Sequence, residues 1–141
     1  MDMRINDTWF GIEGEIDGNP YIIRGREDIS SFKIKGLHQT RIDICWSYIS
    51  EDESKMPDDT QLEMWERVEQ LLINQFEHDI EGIMAFVFTG NCQRVWYWYC
   101  RDAKIALERI SLAFSVFPEM LPIEIYSTQD PDWKEYCDLI D

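Results

Sequence analysis

Apolar residues recur at alternate positions from Trp9 to Ile16, the cluster Asp17-Gly18-Asn19-Pro20 interrupts them, and Tyr21 to Arg26 resumes the run. Period-two alternation broken by turn formers predicts an N-terminal β-hairpin. The stretch His38 to Ile49 alternates strictly in its second half, so that Ile42, Ile44, Trp46 and Tyr48 leave one side of a strand while Arg41, Asp43 and Ser47 leave the other. A polar segment, Glu51 to Asp59, leads through Asp59 or Thr60 as N-cap into a helix. Leu62, Trp65, Val68, Leu72 and Phe76 lie three or four apart and define its buried stripe, with Glu63, Glu66, Glu69 and Gln70 expected outside it.

The apolar run Ile83 to Phe88 stops at Thr89-Gly90-Asn91 and resumes from Arg94 to Cys100, the pattern of two strands joined by a tight turn. Asp102 is placed to cap a second helix whose Ala106, Ile110, Ala113 and Phe114 share a face and which Pro118 ends. Pro122 to Tyr126 reads as a last strand, Ile123 and Ile125 on one face. Asp130-Pro131-Asp132-Trp133 then has a capping Asp and a Pro at the first helical position, with Trp133, Tyr136 and Ile140 on one side of a short terminal helix.

The expected class is α+β. From His38 onward the order strand-helix-strand-strand-helix-strand is that of the ferredoxin-like split βαβ unit, preceded by a hairpin and followed by a short helix. One domain is expected over residues 1–141: a hairpin extension (1–36), the ferredoxin-like core (37–128) and the terminal helix (129–141). Right-handed crossovers put both long helices on one face of the sheet, which leaves the other to the hairpin, the terminal helix or a partner.

Charge narrows the function classes. The 141 residues carry 28 acidic against 13 basic side chains, a formal charge of -15, which repels nucleic-acid phosphates and anionic lipid. A basic protein is the partner this charge favours; a solubilising role is the plainer alternative. The N-terminal residues lack an apolar signal region and no apolar run approaches the roughly 20 residues needed to cross a bilayer, so a cytoplasmic location is expected. Cys45, Cys92, Cys100 and Cys137 show no CxxC spacing, which suits reduced thiols; Cys45 and Cys100, both on strands, have the option of approaching in space.

No catalytic or cofactor motif is present: no GxSxG, HExxH, P-loop or GxGxxG. The two histidines, His38 and His78, read as structural, the glycines of Gly11-Ile12-Glu13-Gly14 as a bulge or close packing, and neither a metal nor a cofactor is expected. The run Trp96-Tyr97-Trp98-Tyr99 sends the two indoles to one sheet face and the two phenols to the other. One of these faces is core; the other is core under the hairpin or a protein-binding surface. The expected function is a non-enzymatic domain that binds a basic protein partner through Asp58, Asp59, Glu63, Glu66, Glu69, Trp96 and Trp98. The alternative is a small-molecule site or enzyme between the aromatic sheet and the hairpin, with Arg24 or Arg26 holding an anionic substrate and Glu13 or Glu15 as base.

Several features together resemble a known family. Trp9, the Asp17-Gly18-Asn19-Pro20-Tyr21 turn with Arg24 or Arg26 after it, Lys55-Met56-Pro57 before an acidic helix, and the Gly90 turn leading into Arg94 to Tyr99 are four of them. The ending Asp130-Pro131-Asp132-Trp133-Lys134-Glu135-Tyr136 is the fifth. The chain resembles the bacterial family known as domain of unknown function 695, over nearly its whole length. That family has no assigned activity and supplies no catalytic residues. It is similar in turn to the acidic regulator of ribonuclease E, a ferredoxin-like protein that inhibits its enzyme by binding, and this resemblance implies an inhibitor or modulator; an immunity protein is one concrete version of the basic-partner reading. Gly25 between the two arginines departs from the family pattern and leaves open which arginine is the family's.

Overall fold

The computed structural model describes residues 4–140. Among them the chain forms β1 (Trp9–Ile16), β2 (Asn19–Arg26), α1 (Ser30–Lys35), β3 (Thr40–Ser47), α2 (Asp59–Phe76), β4 (Gly82–Gly90), β5 (Gln93–Cys100), α3 (Ala103–Phe114), β6 (Ile123–Gln129) and α4 (Lys134–Ile140). The fold is α+β: a single six-stranded sheet of order β1-β2-β4-β5-β3-β6, antiparallel at every pairing. Six strands exceed the four of a split βαβ unit, because the N-terminal hairpin joins the same sheet through β2 and β4.

Both short hairpins follow from turn chemistry. Asp17 and Gly18 (φ 52° and 83°) close β1-β2, and Asn91 and Cys92 (φ 50° and 62°) close β4-β5. Paired positive φ angles are those of the two-residue turn whose twist matches the strands. On one side of the hairpin, two glycines make room for rings. Gly25 pairs with Phe10 and Gly14 with Tyr21, and a Cβ at either position would come within 2.2–2.4 Å of the opposing ring system.

The sheet is covered on both faces. Ile42, Ile44, Trp46, Met84, Val87, Trp96 and Trp98 face α2 and α3, whose Trp65, Val68, Leu72, Phe76, Ala106 and Ile110 fill the main core. Arg109, midway along α3, ties that helix to the end of α2 by donating to the Gln75 carbonyl at 2.9 Å and to both Asp79 carboxylate oxygens at 2.7 Å. A bulge between Met84 and Phe86 shifts the alternation of β4, so that Ile83, Ala85 and Phe86 all reach the second core with Tyr99, Ile29, Phe32, Trp133 and Tyr136. Thus α1 and α4 cover the second face.

Several expectations are corrected here. α1 was not expected at all within residues 1–36. The N-cap of α2 is Asp58 rather than Asp59 or Thr60, in a capping box with Gln61. Pro131 does not open the terminal helix: residues 131–133 form a turn ending on Trp133 at φ 53°, and α4 starts at Lys134. Leu62 and Ile140 are exposed rather than buried with the rest of their stripes. Cys45 and Cys100 do not approach, because Cys100 belongs to the main core while Cys45 alternates with Ile44 and Trp46 and so faces the other way. Among the described residues no helix is long and apolar enough to cross a membrane.

Candidate functional site: an arginine pocket beneath an acidic loop

Where the hairpin leaves the cover of α2, a row of charges and rings runs across the sheet. Arg24 and Arg26 project from β2 to the Trp9 indole, their guanidinium carbons 4.6 and 4.5 Å from its ring centroid, and Trp9 donates its indole N–H to Asp7 at 2.8 Å. Strand pairing dictates this: Trp9 lies opposite Arg26, and Gly11, without a side chain, lies opposite Arg24. Guanidinium over indole is the favoured cation–π geometry.

The two arginines then diverge in role. Arg26, 2% exposed, donates from Nη1 to both Glu77 carboxylate oxygens at 3.0 and 2.9 Å, and Glu77 also accepts from the Met84 amide at 3.0 Å. Burial raises the Glu77 pKa, against the lowering influence of Arg26 and the Met84 amide. Both Glu77 oxygens are engaged by this pair, while Arg26 Nε is buried without an acceptor. Arg24 instead reaches Glu69 Oε1 at 2.6 Å with its side chain still 41% exposed. The same oxygen receives Arg94 Nη2 at 3.3 Å and the Trp96 indole N–H at 2.9 Å.

Arg94 is held from every side. It donates to Thr89 Oγ1 at 2.9 Å, and it lies 5.0 and 5.4 Å from the ring centroids of Trp65 and Trp96. Burial lowers its pKa; Glu69 opposes that shift and the neighbouring Arg24 charge adds to it. Arg24, Thr89 and Arg94 form the polar floor of a pocket of about 270 Å³, walled by Ile22, Met56, Pro57, Leu62 and Val87.

Met56 and Pro57 belong to the acidic loop above. Tyr48 donates its hydroxyl to the Lys55 carbonyl at 2.8 Å, the Cys92 amide donates to the same carbonyl at 3.2 Å, and Ser50 donates to the Met56 carbonyl at 2.7 Å. Burial pushes the Tyr48 phenol up to about 12, so it stays a donor throughout the ordinary pH range. Gln61 of α2 closes the loop by donating to the Ile49 carbonyl at 3.2 Å. Between loop and helix lies a groove of about 470 Å³ lined by Ile49, Glu51, Asp52, Asp58 and Gln61 among others.

The structure separates the expected partner-binding residues. Asp58, Asp59, Glu63 and Glu66 are exposed around this groove and on the first two turns of α2. Glu69 is turned inward, 12% exposed, onto the arginines. Trp96 and Trp98 are fully buried under α2 and present no surface at all. Ile49, which the expected partner-binding set left out, is 88% exposed beside the groove; its place just past the last alternating residue of β3 is the signal for it. Glu13 and Glu15 share the helix-covered side of the sheet with Arg24 but are solvent-exposed and border a separate shallow cleft with Met56. His38 is buried against the Ile80 carbonyl at 2.7 Å and His78 is exposed, so neither meets the arginines. Among the described residues no group of three or more His, Cys, Asp or Glu could hold a metal ion.

The sequence model of the family of unknown function DUF695 matches residues 7–140. The chain belongs to that family. No curated protein and no solved structure matches it. The geometry gives structural roles to the residues on which the resemblance of this DUF695 chain was read. Trp9 and the hairpin arginines form the cation–π row. The Asp130 to Tyr136 ending is a latch: Asp130 accepts the Tyr99 hydroxyl at 2.8 Å and the Lys134 amide at 2.8 Å, and Trp133 stacks on Tyr99.

Proposed function

We propose that this DUF695 chain is a non-enzymatic binding module of the regulator, inhibitor or immunity type, which engages a basic protein through the loop 51–58 and the first two turns of α2. The observation that carries this is the concentration of unpaired acid on an anchored surface. Residues 51–67 hold seven acidic side chains against Lys55 and Arg67, and among the described residues none of the seven is ion-paired. The loop is fixed by backbone and side-chain hydrogen bonds, which lowers the ordering cost of docking. Ile49 supplies an apolar anchor within a charged rim, the arrangement in which interface energy concentrates. The contributing residues are Glu51, Asp52, Asp58, Asp59, Glu63 and Glu66; Glu69, Trp96 and Trp98 are not among them.

The order β6-β3-β5-β4 with α2 and α3 on one face supports a ferredoxin-like core within the larger sheet, and with it the likeness to the ribonuclease E regulator. A cytoplasmic location belongs with the same proposal.

The test is capture of partners from a lysate of the source cells on immobilised protein at about 50 and 200 mM salt, with Glu51→Lys/Glu63→Lys/Glu66→Lys as control. One basic protein, held at low salt, weakened at high salt and lost from the control, is the expected result. A partner retained equally by wild type and control would remove the acidic face from the function.

A further inference from the structure

Charge does not balance at the floor of the 270 Å³ pocket. Arg24 and Arg94 bring two positive charges to a single oxygen of Glu69. Among the described residues neither guanidinium makes another ion pair: Glu77 is taken by Arg26 at 2.9 Å. Donors are also left over. Arg94 Nε is shielded from water with no hydrogen-bond acceptor, as is Arg26 Nε in the neighbouring pair, whereas Arg24 Nη2 is taken up by Glu69 at 2.6 Å. Shielded guanidinium groups are ordinarily paired, since an uncompensated charge away from water is costly. A protein of net charge -15 that draws two arginines together around one carboxylate has built a local cationic site against its own overall field.

The walls say what kind of anion fits. Ile22 and Leu62 are both exposed at the mouth, and Met56, Pro57 and Val87 continue the apolar lining. A hydrated inorganic ion leaves those walls wet. One excess positive charge matches one negative charge, and a planar carboxylate matches the fork of a guanidinium. The volume lies just below the roughly 300 Å³ at which ordinary ligand pockets begin, so the body is short. Trp9, Trp65, Trp96 and Glu69 hold both guanidinium groups before any ligand arrives, the preorganisation that turns a small site into a binding site.

We infer that this pocket binds a small monocarboxylic acid with an apolar body, its carboxylate on Arg24 and Arg94 and its hydrocarbon against Ile22, Met56, Pro57 and Leu62. This goes beyond the acidic docking face and does not depend on it.

The indole N–H signals of Trp9, Trp65 and Trp96 report the site in a ¹H–¹⁵N spectrum of the whole chain. Titration with butyrate, hexanoate and phenylacetate is expected to shift them saturably, with phenylacetamide and inorganic phosphate at least tenfold weaker. Arg24→Gln and Leu62→Glu each weaken the best acid at least tenfold. Arg24→Gln removes one charge from a partly exposed position, and Leu62→Glu blocks the mouth without touching the ion cluster, so a folding defect in one is checked by the other. Glu63→Lys/Glu66→Lys leaves the affinity within about twofold, which separates this site from the docking face. No saturable shift with any of the three acids overturns the inference. So does phosphate binding as tightly as they do, or Leu62→Glu binding like wild type while folded.

Discussion

Trp133 lies flat on Tyr99, ring centroids 4.2 Å apart and planes 9° from parallel, and donates its indole N–H to the His38 carbonyl at 2.7 Å. One side chain thus ties the segment before α4 to β5 and to the lead-in of β3. Trp133→Ala is expected to cost about 3–5 kcal/mol, the range for deleting a large buried aromatic. Trp133→Phe keeps a ring but leaves the His38 carbonyl unpaired, and is expected to cost less, about 1–3 kcal/mol. Urea unfolding curves followed by far-UV circular dichroism measure both.

Acid sensitivity is expected from His38. The Ile80 carbonyl accepts, so the proton sits on His38 Nε2, and burial lowers the pKa of the ring, with Arg101 adding to the effect and the hydrogen bond opposing it. A base whose folded pKa lies below its unfolded value of about 6.5 gives its full stability above that pH. That stability is lost as pH falls toward the lower folded value. Urea midpoints measured between pH 7 and 5 are expected to decline in wild type and to stay flatter in His38→Gln, a neutral donor of similar reach. Equal slopes would show that His38 is not the group responsible.

The Arg26–Glu77 pair is expected to behave as a buried unit. Glu77→Gln leaves Arg26 charged and 2% exposed, at a cost of about 3–5 kcal/mol, whereas Arg26→Met/Glu77→Leu recovers most of that loss. The double variant stays short of wild type by about 1–2 kcal/mol because the Met84 amide loses its acceptor. A double-mutant cycle in urea checks the coupling; additive losses would contradict it.

Asp58 has two duties that substitution can separate. Its carboxylate accepts the Gln61 amide at 2.8 Å at the start of α2, so Asp58→Ala is expected to cost about 1 kcal/mol, a fall of about 4 °C in Tm. Asp58→Ser preserves the cap while removing the charge. Calorimetry on both variants shows which one is the clean probe of the acidic face.

Most elements were legible because their periods are long and consistent: the alternations in β1, β3 and β5 and, Leu62 apart, the stripes of α2 and α3 lie where they were expected. α1 escaped because a six-residue helix burying only Phe32 shows no period; its trace in the sequence is Gly36, which ends it at φ 69°. The bulge at Ala85 was hidden inside a continuous apolar run, where an extra residue changes no residue type. Glu69 was misplaced for a different reason. It stands four residues after Trp65 and three before Leu72, at the spacing of the buried stripe, but its charge argued for solvent. Only the arginines from β2 and β5, distant in sequence, make its burial tolerable, and no local pattern announces them. For the same reason the pocket was visible only as a suspicion about Arg24 and Arg26, with the third arginine unassigned.

The latch at residues 130–136 has a further effect during synthesis. All six strands have been made before Trp133 and Tyr136 appear, so a growing chain carries a sheet whose second face is covered only by Ile29, Phe32 and their short helix. Tyr99 and Ile83 stay open to any passing apolar surface until those last aromatic rings emerge. A chain that lacks the latch therefore presents Tyr99 and Ile83 as a sticky sheet face in place of a finished second core.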